Sequence, residues 1–192
     1  MAEASPPTGF WGRGADATPW RAGIIIFMLV LFVLDQWTKH LILSHEEIFT
    51  PWECFASGVN LASACGSVAL PGPMDLTMVW NRGISFGAFQ AEGIMRWVLF
   101  TISGVIAIGF GVWLFRTARK ATSIALALVI SGAIGNMVDR ARYGAVVDFI
   151  DFSEIWFVWV FNIADAAITV GAILLFVDQY LVSRAEKVQE GN

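Results

Sequence analysis

The chain has 192 residues, about the length of one domain. Hydrophobic residues make up 57% of it and charged residues only 15%, whereas soluble domains carry about 25% charged residues. The composition excludes disordered and collagen-like chains, and a net charge of −4 without a basic stripe argues against nucleic-acid binding. So short a chain cannot hide this much apolar surface from water, and the sequence therefore predicts an integral membrane protein.

Four segments are long and apolar enough to cross a bilayer as helices, which takes about 20 residues each. They are Ala22–Leu43, Trp97–Phe115, Ala121–Val138 and Ile155–Val177. The fourth segment contains a second signal, because Asn162 followed three residues later by Asp165 is typical of a helix start. This helix could therefore begin late, after an extended aromatic stretch at Trp156–Phe161.

The lysines and arginines near the span ends predict the topology. With the N-terminus inside, seven of the 12 lie on the inner side and five on the outer side, which favours an N-in, C-in arrangement. The predicted organisation is an inner tail (1–20), one membrane domain (21–182) with outer loops at 44–96 and 139–154, and an inner tail (183–192). No small-residue cleavage site follows the first span, so we expect it to be retained.

The first outer loop is long and holds both cysteines of the chain. Cys54 and Cys65 could pair in an oxidising compartment or remain two free thiols. In the same loop, Thr77–Phe89 could form a strand. Asn81 and Gly83 lie within it, in a glycine-containing stretch that indicates a tight turn. Asn81 could present its amide to a peptide or to backbone, or the stretch could be a plain surface turn.

Ionisable side chains in or beside hydrocarbon are energetically unfavourable and indicate function by default. Asp35 and Lys39 are four residues apart on one helix face, a spacing that also suits a purely structural ion pair. Gly132, Asn136 and Arg140 repeat that spacing at the end of the third span, where small residues allow close helix packing.

Arg140 could bind a lipid headgroup or a peptide carbonyl. Its neighbour Asp139 could hold it in place, or the two could simply cap the span.

Two carboxylates, Asp148 and Asp165, lie near the outer interface on either side of one predicted hairpin. Two aspartates close together in a low-dielectric site cannot both ionise easily and share a proton. One can then act as a base toward water and the other as an acid toward a carbonyl, which is the chemistry of an aspartyl protease. Alternatively, Asp148 is solvated and Asp165 caps its own helix.

Other chemistries have less support. His40 and His45 are the only histidines and lack metal-ligand spacing, and the chain has no Walker-type phosphate loop, so we expect neither a metal nor a cofactor. Two other classes of function stay open. One is a small proton-coupled transporter with Asp165 as its carrier group, and the other is a non-catalytic scaffold whose polar clusters only hold helices together.

In five segments the chain resembles the lipoprotein signal peptidase (signal peptidase II) family, which are aspartyl proteases of the bacterial inner membrane. In chain order the segments are Asp35–Lys39, Asn81–Gly87, Gly135–Arg140, Val146–Phe149 and Phe161–Asp165. The resemblance implies a mainly α membrane protein, in which four transmembrane helices carry a small extracytoplasmic β-cradle and a short outer helix. The first outer loop is longer than the family pattern leads us to expect.

The resemblance also implies an activity, which is cleavage of the signal peptide before a diacylglyceryl-modified cysteine of a prolipoprotein. It makes Asp148 and Asp165 the catalytic pair. Residues implied to contact substrate or inhibitor are Asn81, Gly83, Asn136, Arg140 and Asn162, and supporting residues are Asp35, Lys39, Gly132, Asp139 and Ala164. The family needs no metal, is inhibited by the lipopeptide globomycin, and works in contact with membrane lipid at the periplasmic face. A monomer is the simplest expectation.

Overall fold

The computed structural model describes residues 20–46, 48–56, 65–83 and 94–190. These residues form five α-helices: α1 Trp20–Ser44, α2 Pro51–Ala56, α3 Ile94–Arg116, α4 Lys120–Tyr143 and α5 Ile163–Glu190. They also form four strands: β1 Ser67–Val68, β2 Asp75–Asn81, β3 Val146–Phe152 and β4 Phe157–Phe161. The strands make one antiparallel sheet in the order β1-β2-β3-β4. The predicted fold class, a helical membrane protein with a small sheet and a short extra helix, is confirmed.

In the part of the chain that the structure describes, four helices, α1, α3, α4 and α5, are long and apolar enough to cross a membrane. Helix α4 is the central one, because most of its side chains are buried while those of α3 largely face outward. Small residues on α4 permit this packing. A side chain at Gly132 would collide with the backbone carbonyl oxygen of Ala164, so glycine there allows α5 to approach α4 closely.

The helix boundaries differ most from the predicted spans at the end of the third helix and at both ends of the fourth. The third helix does not stop at Val138 but continues to Tyr143, and Gly144 ends it in the left-handed conformation with φ 81°. Asp139 and Arg140 are therefore helical and do not begin the outer loop predicted at 139–154.

The fourth helix begins at Ile163, not at Ile155, and β4 occupies the aromatic stretch before it. The predicted span was too early because an apolar run alone does not distinguish a strand from a helix. At its other end α5 continues to Glu190, so most of the predicted tail at 183–192 is helical. The predicted strand at Thr77–Phe89 begins earlier, at Asp75, and residues 84–89 lie outside the described part, as do residues 1–19 of the predicted N-terminal tail.

The sheet packs against the end of the helical bundle at which α1 terminates. Ile42 and Leu43 of α1 share a buried apolar cluster with Met78 and Trp80 of β2 and with Val147 of β3. Successive side chains of a strand point to opposite faces. Asp148 is therefore directed away from this cluster, although it is buried as well.

The short helix α2 is joined to the sheet by a disulfide and two hydrogen bonds. Cys54 in α2 and Cys65 next to β1 form a disulfide. The indole N–H of Trp80 donates a hydrogen bond to the Pro51 carbonyl at 2.8 Å. The Arg82 guanidinium donates to the Phe55 carbonyl and lies 4.4 Å from the centroid of the Phe55 ring. These contacts hold α2 against the end of β2, where Asn81 lies.

Candidate active site

Two aspartates from different elements meet at the junction of the sheet and the helices. Asp148 lies on β3 with 2% of its surface exposed, and Asp165 lies in the first turn of α5. The side-chain amide of Asn162 donates to Asp148 Oδ1 at 2.7 Å, and that of Asn136 donates to Asp165 Oδ1 at 2.7 Å. Asn162 Nδ2 is also 3.2 Å from Asn136 Oδ1. A continuous chain of amides therefore joins the two carboxyl groups.

The start of α5 explains how Asp165 reaches this position. Asn162 precedes the helix, and its side-chain Oδ1 accepts a hydrogen bond from the backbone N–H of Asp165 at 2.8 Å. The spacing of Asn162 and Asp165 predicts such an N-cap, which satisfies one of the backbone donors that a helix start leaves free. The cap turns the remaining donor group of Asn162 toward Asp148. One asparagine thus fixes the helix start and one member of the pair.

The electrostatics of Asp148 differ from those of a surface aspartate. Burial, together with the negative charge of Asp165, raises the pKa of Asp148 to about 8, although hydrogen bonds from Asn81 and Asn162 counteract part of the increase. Asp148 is therefore suited to hold a proton at neutral pH. The Arg140 guanidinium interacts electrostatically with both Asp165 and Asp148.

A second charged cluster lies beside the pair and supports it. Lys39 Nζ is 2.9 Å from Asp35 Oδ2 and 2.9 Å from Asp139 Oδ2, and the three side chains are almost fully buried. Lys39 also donates to Asn136 Oδ1 at 3.2 Å. The sequence suggested Asp139 as a partner of Arg140, whereas Asp139 pairs with Lys39, and Arg140 donates to the Asn136 carbonyl at 3.4 Å.

The carboxylates of this cluster also bind backbone groups of the elements that carry the pair. Asp35 Oδ1 accepts a hydrogen bond from the Ala164 N–H at 3.0 Å, and Asp139 Oδ2 accepts one from the Val147 N–H at 3.2 Å. Ala164 and Val147 immediately precede Asp165 and Asp148 in the chain. The cluster therefore fixes the backbone next to both carboxyl groups.

Gln36 takes part in this cluster and was missed by the sequence reasoning. Its amide donates to Asp139 Oδ1 at 3.0 Å and to Asp35 Oδ2 at 3.1 Å. The only available signal was its place between Asp35 and Lys39, because a glutamine in a helix carries no charge that would mark it.

Two further predicted residues, Asn81 and Gly83, lie at the end of β2. Asn81 ends β2 opposite Val146 and lies close enough to hydrogen-bond Asp148. Its Oδ1 accepts from the Gly83 N–H at 3.1 Å, and Gly83 has a φ of 135°, a value that L side chains rarely adopt. The rest of this motif, Ile84–Gly87, lies outside the described residues. No group of three or more His, Cys, Asp or Glu side chains among the described residues is arranged to hold a metal ion.

Comparison with known proteins identifies the family. The family model described as Signal peptidase (SPase) II matches residues 27–181. The chain belongs to the signal peptidase II family. It is thus an aspartic peptidase and a multi-pass membrane protein, as the sequence predicts.

Individual relatives agree with this family. The lipoprotein signal peptidase of Methylobacterium radiotolerans is 43% identical over 165 residues, which cover 84% of this chain and 86% of the relative. The lipoprotein signal peptidase of Rhodopseudomonas palustris is 38% identical over 176 residues, which cover 88% and 98%. A bacterial membrane enzyme solved by the in meso method at 1.9 Å is 26% identical, with a TM-score of 0.65 over 82% of this chain and 92% of that one.

Proposed function

We propose that Asp148 and Asp165 are the catalytic residues of this signal peptidase II and that they activate a water molecule between them. The observation that carries the proposal is the amide chain through Asn162 and Asn136, which orients two carboxyl groups toward one site. An isolated carboxylate would need no such arrangement. The substrate is a prolipoprotein whose cysteine bears a diacylglyceryl group, and the cut falls before that cysteine.

The two carboxyl groups have different roles in this proposal. Asp148 holds the proton, because burial and the neighbouring charge disfavour its ionised form. Asp165 acts as the base, because Arg140 and the N-terminal end of α5 supply positive potential next to it. Asp165 takes a proton from water as the water oxygen attacks the scissile carbonyl carbon, and Asp148 gives its proton to the carbonyl oxygen.

The second half of the reaction returns the protons. The carbon–nitrogen bond breaks as the leaving amine takes a proton from Asp165. Asp148 regains its proton from a hydroxyl group of the tetrahedral intermediate. The carbon that bears this hydroxyl group becomes the new carboxyl carbon. Asn81, Asn136 and Asn162 supply polar groups around the reacting centre, and Arg140 and Gly83 lie beside them.

We further propose that the site faces the periplasm and that both termini lie in the cytoplasm of a bacterium, with the chain as a monomer in the inner membrane. The support is that more lysines and arginines lie near the helix ends away from the candidate site than near the helix ends beside it. A reporter that is active only in the cytoplasm, fused after Asn192, is expected to be active. An inactive fusion of a folded protein would reverse the topology.

The catalytic proposal is tested by Asp148→Asn and Asp165→Asn in a membrane preparation that contains a lipidated precursor. Both variants are expected to accumulate in the membrane and to leave the precursor uncut, and globomycin is expected to block the wild-type protein. Asp151→Asn is the matched control, because Asp151 lies on the same strand and outside the amide chain. Normal processing by either variant of the pair would contradict the proposal.

The position of Asp165 also separates this function from the proton-coupled transporter. A carrier group is expected near the middle of the bilayer with access from both sides, whereas Asp165 lies in the first turn of α5 beside the sheet.

A further inference from the structure

The hairpin that joins β3 to β4 ends in five consecutive exposed apolar side chains, Ile155–Trp159, which we call the aromatic tip. Trp156 has 94% of its surface exposed, Val158 70% and Trp159 64%. The stretch from Ile155 to Phe161 contains no charged residue. Isolated exposed apolar residues are common on proteins, but a contiguous patch of this kind marks a binding surface.

The aromatic tip is apolar on both faces of the sheet. Because side chains alternate along a strand, Phe157 and Trp159 lie on one face and Val158 lies on the other. Strand β4 is also an edge of the sheet, and edges that face water are usually protected by charged residues or proline. Strand β4 has neither along Phe157–Phe161.

The rest of the sheet contrasts with the tip. In residues 65–83 and 144–154, as far as the structure describes the sheet and its turns, no large hydrophobic side chain is exposed. The exposed apolar surface of the sheet is therefore confined to its β4 edge. The opposite edge, where Ala69 and the Pro71–Pro73 turn follow β1, is exposed without large apolar side chains.

The chain itself indicates what covers the aromatic tip. Strand β4 passes through the single residue Asn162 into α5, whose outward side chains such as Ile173 and Phe176 are exposed along a membrane span. At about 3.3 Å per residue, the far end of β4 lies within roughly 17 Å of the start of that span. Tryptophan and other aromatic side chains concentrate at the boundary between lipid tails and headgroups.

We propose that the aromatic tip inserts into the headgroup layer of the membrane leaflet on the side of the candidate site. The apolar surface of the tip is then continuous with the lipid-facing surface of α5, and lipid covers both faces of β4. The insertion anchors β3, which carries Asp148, parallel to the membrane surface. The location of the tip does not depend on the proposed chemistry, so each can fail without the other.

The test uses the full-length protein in lipid nanodiscs with one fluorescent label on an introduced cysteine. Trp156→Cys places the label on the tip, and Ala69→Cys places it beside β1 at the exposed opposite edge of the sheet. Labelling is done without reductant, because Cys54 and Cys65 are joined in a disulfide. Lipids with a nitroxide near the headgroup and iodide in the buffer serve as the two quenchers.

The label at position 156 is expected to lose several-fold more fluorescence to the nitroxide lipids than the label at position 69, and to resist iodide. The reverse pattern is expected at position 69. Trp156 is almost fully exposed, so its replacement removes little packing, and Val158→Cys provides a second site on the other face of β4.

Equal iodide quenching at positions 156 and 69, without nitroxide quenching at 156, would overturn the proposal. A label at 156 that is shielded from both quenchers would also overturn it, because a protein surface would then cover the tip. Crosslinking between copies through Trp156→Cys would identify a second copy as that surface, and loss of shielding on removal of a bound precursor would identify the signal peptide.

Discussion

Replacement of Asp148 by asparagine is expected to abolish activity and at the same time to stabilise the fold. Asp148 is buried and its pKa is raised, so the folded protein binds a proton that the unfolded chain releases at neutral pH. Asparagine has nearly the same shape, carries no charge, and keeps an oxygen that accepts the hydrogen bond from Asn162. The variant therefore removes an unfavourable burial and retains the contact.

The magnitude and its pH dependence follow from linkage. The pKa rises from 3.8 to about 8, and each unit corresponds to about 1.4 kcal/mol, so at pH 7 an upper limit of about 4 kcal/mol is available. A group whose pKa is raised in the folded state is destabilising above its unfolded pKa. The stabilisation by Asp148→Asn is thus expected to be small near pH 4, to grow as the pH rises, and to level off above about pH 8.

The assay is thermal or denaturant unfolding in detergent at pH 5 and pH 8, together with precursor cleavage. Asp148→Asn is expected to gain roughly 1–4 kcal/mol at pH 8, less at pH 5, and to lose at least about 10²-fold in cleavage rate. Asp151→Asn, on the same strand, is expected to show neither change. A variant that is less stable than the wild type at pH 8, or equally stabilised at both pH values, would refute the electrostatic reasoning.

Three further changes test the surroundings of the pair. Lys39→Met leaves Asp35 and Asp139 buried without their cation and is expected to lose roughly 3–5 kcal/mol of stability. The measurement is unfolding in detergent, with Lys120→Met as the exposed control. Equal destabilisation by both substitutions would contradict the stabilising role of the buried ion pairs. Gly132→Leu forces α5 away from α4 and is expected to reduce precursor cleavage strongly. Gly109→Leu is the control and is expected to leave cleavage unchanged, because Gly109 has open space around it. Unchanged cleavage by Gly132→Leu would show that close contact between the two helices is not required. Replacement of both Cys54 and Cys65 by serine removes a disulfide between residues 11 positions apart and is expected to lower stability by about 3 kcal/mol. Addition of reductant is expected to lower the stability of the wild type by the same amount and to leave the double variant unchanged.

The membrane spans were predictable because their signal is local. Bilayer thickness sets the length of an apolar helix, and uninterrupted apolar runs satisfy it within one segment. The same reasoning misplaced the start of the fourth span, since β4 is as apolar as the helix that follows. The local polar signal at Asn162 and Asp165 located the boundary better than hydropathy, because a helix cap depends on hydrogen-bonding groups.

Contacts between distant segments were not predictable from spacing alone. Asp35 and Lys39 form the ion pair that their helical spacing suggests, but the second carboxylate, Asp139, comes from another helix 100 residues later. Its sequence neighbour Arg140 was the nearer candidate partner. The choice depends on which side of α4 faces α1, and one sequence does not determine that packing.

The two asparagines explain why a pair of buried acids can persist at this site. The oxygen of Asn136 accepts from Lys39 and Asn162, so its amide nitrogen must face Asp165. The oxygen of Asn162 accepts from the N–H of Asp165, so its amide nitrogen must face Asp148.

Each amide is therefore oriented by a donor outside the carboxyl pair and presents only N–H groups to it. Such fixed donors favour at least one ionised carboxyl group, while burial and mutual repulsion disfavour two. The singly protonated pair that hydrolysis requires is thus the state that the surrounding hydrogen bonds favour, and Lys39 supports it both through its hydrogen bond to Asn136 and through its positive charge.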